Sequence, residues 1–260
     1  MPTHQNPAAQ SASPASRAST QPSAAALTGE SPSTARGETL TKFGQLPPGP
    51  KLNLGCGAVQ PSGWVNIDGS NRAVLASRFW PLDQLLVRSG VLPQTEFGPH
   101  VKVHNLHRPL PFADGSVACV YAGELWEHFE YADAARLTRE CLRVLAAGGV
   151  LRICVPDGPH FWERYLELYR REMDRPREER RAQPLRDHVQ MYFEDIATRR
   201  MCLRSLGHTH KWQFDEVQLV QLLEDSGFAS VERMPFHRSR ISDVSLVERS
   251  DFLIVEGVKA

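Results

Sequence analysis

A chain of 260 residues is long enough for one large domain or two small ones built around a real hydrophobic core. Its 30 basic and 30 acidic residues cancel, which argues against a broad nucleic-acid-binding face, so no nucleic-acid partner is expected. The 5 cysteines include no CxxC pair, which indicates neither a disulfide framework nor a zinc site and points to a reducing, cytoplasmic setting. No apolar run approaches the length of a membrane span, and the N-terminus lacks the apolar core of a signal peptide.

Residues 1–46 are rich in Ala, Ser, Pro, Gln and Thr and hold almost no large apolar side chains. Such a stretch cannot bury enough surface to offset its ordering entropy, so a disordered tail is expected, followed by one domain over 47–260. A transit peptide competes, given Arg17, Arg36 and several serines, but no amphipathic face accompanies them.

The domain opens on KLNLGCGAVQPSGWVNID, Lys51 to Asp68. Leu52 and Leu54 alternate like a buried strand that runs into Gly55 and Gly57, and Asp68 closes a second apolar run, Trp64 to Ile67. A strand, a glycine turn and a carboxylate at the end of the next strand describe a nucleoside site, with bare backbone for close approach and an acceptor for two ribose hydroxyls. The plainer reading is a tight turn and nothing more. A dinucleotide fits poorly. Gln60 stands where the third glycine of GxGxxG would be, and Asp68 comes sooner than the roughly 20 residues expected for NAD. There is also no room for a crossover helix between Gly57 and Trp64, so the phosphate-binding helix N-terminus is missing.

Further along, Val74 to Leu86 shows mixed helical spacing broken by Pro81, which predicts two short helices over 70–90. Val101 to Leu106 alternates like a strand, and Val117 to Tyr121 is a wholly apolar run of the kind found in central parallel strands. A helix is expected from Asp133 to Leu145, ended by Gly148-Gly149, and then a strand from Val150 to Val155. A helical insertion spans about 159–206, its charged part from Arg170 to Arg186 reading as a solvated surface. A helix from Phe214 to Ser226 and two strands near 229–234 and 251–258 finish the chain, the last two as an antiparallel pair. The polar segment between them carries no helix signal. This alternation predicts an α/β fold with right-handed crossovers.

Taken together, Leu52 to Gly57, Gly63 to Asp68, Leu110 to Ser116, Glu127-His128, Arg143 to Gly149, Val155 to Asp157 and His210-Lys211-Trp212 resemble the ordered motifs of class I S-adenosylmethionine-dependent methyltransferases. The likeness is to a bacterial branch met in cell-surface polysaccharide and small-molecule biosynthesis. It implies a Rossmann-like, seven-stranded, mostly parallel sheet with an antiparallel last strand, and S-adenosyl-L-methionine as cofactor. By the same resemblance Asn53, Gly55, Cys56 and Gly57 approach the cofactor, Asp68 holds its ribose, and Asn105 and Leu106 border the adenine; Tyr121, an aromatic residue beside an apolar strand, either packs on the cofactor or belongs to the core. Two departures stand out. Asn105 occupies a position usually acidic, and Glu124 and Trp126 replace the usual His and Leu next to the reactive methyl group.

Methyl transfer from a sulfonium needs alignment of an acceptor and removal of its proton, and no metal is demanded. His128 is the first candidate base, with Glu124 as a second base or as counter-charge to the sulfonium, and His210 in the acceptor pocket. Each has a plainer alternative as a hydrogen-bonded loop residue or a solvated helix-start carboxylate. His208 and His210 alternate rather than lying one helical turn apart, with no third ligand evident, so no metal is expected. Three functions follow: methylation of a small molecule or saccharide, cyclisation or cleavage of S-adenosylmethionine itself, or a non-catalytic nucleoside-binding module.

Overall fold

The strands β1 (Lys51–Leu54), β2 (Val65–Asp68), β3 (Lys102–Val103), β4 (Val117–Gly123), β5 (Leu145–Val155), β6 (Ala229–Arg233) and β7 (Leu253–Val258) form one sheet in the order β3-β2-β1-β4-β5-β7-β6. They come from a computed structural model that describes residues 45–90, 98, 100–197 and 210–260. Strands β1 to β5 pair in parallel, and β7 runs antiparallel to both β5 and β6. The seven-stranded α/β fold read from the sequence is therefore the fold observed. Because β1 pairs with β2 on one side and β4 on the other, the strand order reverses at β1, and a crevice opens beyond the C-terminal ends of these strands.

Six helices accompany the sheet among the described residues: α1 (Asn71–Arg78), α2 (Trp80–Arg88), α3 (Tyr131–Val144), α4 (Gly158–Met173), α5 (Gln183–Ala197) and α6 (Glu216–Asp225). None is long and apolar enough to cross a membrane. Helix α3 buries Ala134, Leu137, Thr138, Cys141 and Val144, one stripe at helical spacing. That stripe joins Leu52, Val120 and Leu151 from the sheet and Leu219, Leu222 and Leu223 from α6 in the main core. Leu137 has no exposed surface, so truncating it to Ala would cost about 2–5 kcal/mol.

The opposite face of the sheet is covered differently. Trp64, Cys119, Tyr121 and Val150 pack against Ile241, Val244 and Val247, which belong to the β6–β7 connection. The sequence gives this connection a polar look, yet a buried ion cluster pins it down. Arg152, on β5 and fully buried, donates to Glu248 from Nε (2.8 Å) and Nη2 (2.9 Å), to Glu256 from Nη1 (2.8 Å), and to the carbonyls of Pro235 and Arg238. Arg240 adds a second cation on Glu256, so the buried charges balance. At the edge, Lys51 and the Trp64 indole both donate to Asp243.

Two expectations are corrected. The strand expected over 101–106 is only Lys102–Val103, because Asn105 turns the chain: its Oδ1 accepts from His107 N and its carbonyl from Arg108 N. Helix α3 ends at Val144, within one residue of the expected Leu145, but β5 begins at Leu145 rather than Val150, so Gly148-Gly149 lie inside the strand instead of between helix and strand. There Gly148 takes φ of 77°, and a Cβ on Gly149 would fall 2.8 Å from the Ala146 carbonyl oxygen. Leu46, the last residue of the expected tail, is half-buried against the second core cluster. The rest of the expected tail, to residue 44, lies outside the described residues, as do Cys202 and His208.

Candidate active site

Strand β1 delivers the chain into a loop that only glycine accommodates easily. Gly55 and Gly57 sit at φ of 63° and 50°, left-handed backbone that an L side chain resists. A Cβ on Gly55 would lie 2.9 Å from Leu125 Cδ1, whereas beside Gly57 there is open space out to 4 Å. The Asp68 carboxylate, 7% exposed, stands at this mouth and accepts from Gly57 N (3.1 Å) and Ser70 N (2.8 Å). A carboxylate has about four acceptor positions, so Asp68 keeps capacity for a ligand.

The remaining residues expected here take different places. The Asn53 amide donates to Val59 O and Asn66 Oδ1, which ties the loop to β2 from below. Gln60, absent from the expected set, donates to Gly57 O and accepts from Gly98 N, stitching the loop to its neighbour. Cys56 is buried under the loop with Ala73, Ala76 and Val101, and burial, aided by the Asp68 charge, pushes its thiol up to about 12. Asn105 is exposed in its own turn. Leu106 lies in the main core, and Tyr121 in the second, where burial first of all drives its hydroxyl well above the usual range.

The second half of the site lies beyond β4 and β5. Glu124 follows β4 with φ of 52°, a conformation that costs a non-glycine residue about 1–3 kcal/mol. Its N–H donates to Cys154 O, and its carboxylate accepts from Ser250 Oγ. A short 3-10 turn, Trp126–His128, comes next, anchored by the buried Trp126 whose Nε1 donates to Thr138 Oγ1. The Glu127 carbonyl accepts from both Lys211 N (2.7 Å) and Trp212 N (3.1 Å), which brings His210 alongside. The His128 and His210 ring centroids lie 4.9 Å apart at 64°, and His210 Nε2 lies 4.0 Å from Oε1 of Glu127, a residue 2% exposed. Burial lowers the His210 pKa, which keeps its ring neutral near pH 7.

These groups open on a cleft of about 1010 Å³ lined by Glu124, His128, His160, His188, His210, Arg164, Arg233, Phe161 and Phe252, among others. All three expected catalytic residues therefore share one cleft. Asp157 lines it too and accepts from Arg233 rather than capping α4 with its side chain. Sequence reasoning missed His160, His188, Arg164 and Arg233, which carry no motif of their own. It also gave Glu127 no role, although the residue sits in the Glu127-His128 motif.

The family model described as Methyltransferase domain matches residues 52–153, the segment from β1 to β5 that carries the glycine loop, Asp68 and Glu124 to His128. No curated protein matches. Similar solved structures include an S-adenosylmethionine-dependent methyltransferase of Thermotoga maritima described as a possible histamine N-methyltransferase (15% identity, 83% of this chain and 84% of that one, TM-score 0.43). Another is an S-adenosylmethionine-dependent methyltransferase of Methanosarcina mazei (20% identity, 80% and 91% covered, TM-score 0.43). A third is the geranyl diphosphate C-methyltransferase of Streptomyces coelicolor, in complex with Mg2+, geranyl diphosphate and S-adenosyl-L-homocysteine (13% identity, 84% and 74% covered, TM-score 0.40). At these scores the structural likenesses carry no conclusion about the reaction. The segment 52–153, which carries the glycine loop and Asp68, is similar to a methyltransferase domain, and this likeness supports an S-adenosylmethionine-dependent methyltransferase with S-adenosyl-L-methionine as its cofactor.

Proposed function

We propose that this enzyme methylates a polar small molecule or saccharide in a cytoplasmic biosynthetic reaction, with the acceptor held in the cleft beyond β4 and β5. The observation that carries this is adjacency. Leu125 packs against Gly55 while the preceding residue, Glu124, lines the cleft, so a single side chain separates the glycine loop from the acceptor side. The residues present fit an adenosyl group: open space beside Gly57, and a carboxylate at Asp68 with acceptor capacity left over. Once bound, S-adenosylmethionine supplies an electrophilic methyl group on a sulfonium.

The chain's own residues do the rest. Asp68 accepts from the ribose hydroxyls, and Gly55 and Gly57 keep the loop free of side chains where the nucleoside approaches. The imidazoles and arginines of the cleft suit a hydroxyl-bearing or anionic acceptor, and Phe161 and Phe252 give it an apolar wall. His210, whose burial favours the neutral ring, or His128 beside it takes the proton from the acceptor heteroatom, a contribution of about 10²–10⁴-fold in rate. Glu124 places negative charge at the cleft mouth. Cys56, Cys119, Cys141 and Cys154 are free and buried, which accords with a reducing compartment.

The test is product analysis by mass spectrometry after incubation of the full chain with S-adenosylmethionine and fractionated small molecules and sugars. A product heavier by one methylene, formed with stoichiometric S-adenosylhomocysteine, supports the reading. Methylthioadenosine released without any acceptor would replace it with a reaction on the cofactor alone.

A further inference from the structure

We propose that Glu127, His128 and His210 bind a single divalent first-row transition cation in the wall of the cleft. One ligand atom from each residue lies within 4.8 Å of the others. Two carboxylate or imidazole donors on a 3-10 turn and a third from a distant segment do not meet by chance of sequence spacing. They are held by the paired hydrogen bonds from Lys211 N and Trp212 N to the Glu127 carbonyl. The chemistry is that of an open site: two imidazoles and one carboxylate leave a coordination position for water or substrate, a set used by Zn2+ and by non-haem Fe2+.

The geometry needs little adjustment. Bonds of about 2.0–2.2 Å around a tetrahedral ion put neighbouring donors about 3.4 Å apart. The observed spread exceeds this by an amount that small rotations of two histidine side chains can close. The His128 and His210 rings meet edge to face rather than stacked, so neither ring covers the other. His210 Nε2 and Glu127 Oε1, at 4.0 Å, are too far apart to hydrogen-bond to each other and leave room for an ion between them. Both histidines line the cleft while Glu127 is buried behind them, so the vacant coordination position faces the acceptor side.

Cation binding does not depend on the proposed function, but its consequence does. With the acceptor in this cleft, the cation would bind the acceptor oxygen and make its proton easier to lose; the histidines would then be ligands, and the Glu124 carboxylate, which lines the same cleft, would take that proton in place of the histidine base.

The experiment uses the full chain, stripped with chelator and titrated with Co2+ and with Zn2+, followed by visible absorption and calorimetry. Binding of one equivalent with ligand-field bands of a low-symmetry N/O site is expected. His210→Ala and His128→Ala should each weaken it at least tenfold, and Glu127→Gln likewise. Circular dichroism and S-adenosylhomocysteine affinity, measured on the same samples, establish that each variant is folded; should Glu127→Gln fail to fold, the two cleft-facing histidine variants decide. No bound equivalent, or equal Co2+ affinity in the histidine variants and the parent, overturns the proposal. Loss of S-adenosylhomocysteine binding by the parent would instead sink the methyltransferase reading and leave the cation site standing.

Discussion

Replacing Arg152 with Met removes the cation that holds the β6–β7 connection against the sheet. Five hydrogen bonds from its guanidinium go, and Glu248 and Glu256, 1% and 0% exposed, remain with Arg240 as the cation recorded on Glu256. Breaking a buried ion pair from one side costs about 3–5 kcal/mol, because the surviving charge stays desolvated. For a domain of this size that corresponds to a fall in Tm of about 6–20 °C. The damage should spread to the cleft. Ser250 contacts both Glu124 and Cys154, and Asp251 and Phe252 line the cavity, so loosening the connection unseats the acceptor wall before the glycine loop. Urea denaturation gives the stability change, and calorimetry with S-adenosylhomocysteine shows whether the cofactor side survives. A loss under about 1 kcal/mol would refute the claim that this ion cluster pins the connection.

Other outcomes follow from individual residues. Gly57→Ala should cost about 1–2 kcal/mol from its left-handed backbone and weaken cofactor binding more than stability, since its Cβ would enter open space at the loop. Glu124→Gly should leave stability within about 1 kcal/mol, because relief of its positive φ offsets the entropy of glycine, while turnover falls. Burial pushes the Cys56, Cys119 and Cys154 thiols up to about 12, so alkylation near pH 8 should spare them in the folded protein and reach them only in denaturant. The Glu140 carboxyl is held below its usual range, chiefly by the Arg143 hydrogen bond. Its stabilising contribution is therefore complete above about pH 5 and lost as pH falls through the lowered value. Glu140→Gln should flatten the acid limb of a stability–pH curve.

Much of this architecture is written in periodicity. The alternation at Leu52 and Leu54, the apolar run at Val117 to Tyr121 and the stripe from Ala134 to Cys141 each announce an element that the fold contains. The second face was not legible, because its cover is a polar connection whose burial depends on Arg152, Glu248 and Glu256 meeting across about a hundred residues of sequence. Pairings of that kind leave no local pattern. The start of β5 was misplaced for a related reason: glycines after a helix signal a stop, yet Gly148-Gly149 serve an irregular strand edge bonded to Lys259. At the site, the glycine loop and Asp68 were visible because glycine and acid at fixed offsets mean close approach and a sugar contact. Glu127 acquires meaning only once Lys211 and Trp212 bring His210 beside it. The spacing of His208 and His210 reports on one segment only, so a cluster drawn from the 126–128 turn and His210 leaves no local pattern.

The central claim is that the mouth formed by Gly55, Gly57 and Asp68 receives the adenosyl cofactor, and calorimetric titration of S-adenosylhomocysteine tests it most directly. The full chain should bind one equivalent, and Asp68→Asn, close in size, should weaken binding at least tenfold, or about 1.4 kcal/mol, with Tm little changed. Absence of binding to the parent chain, or equal affinity in the folded Asp68→Asn variant, would contradict it.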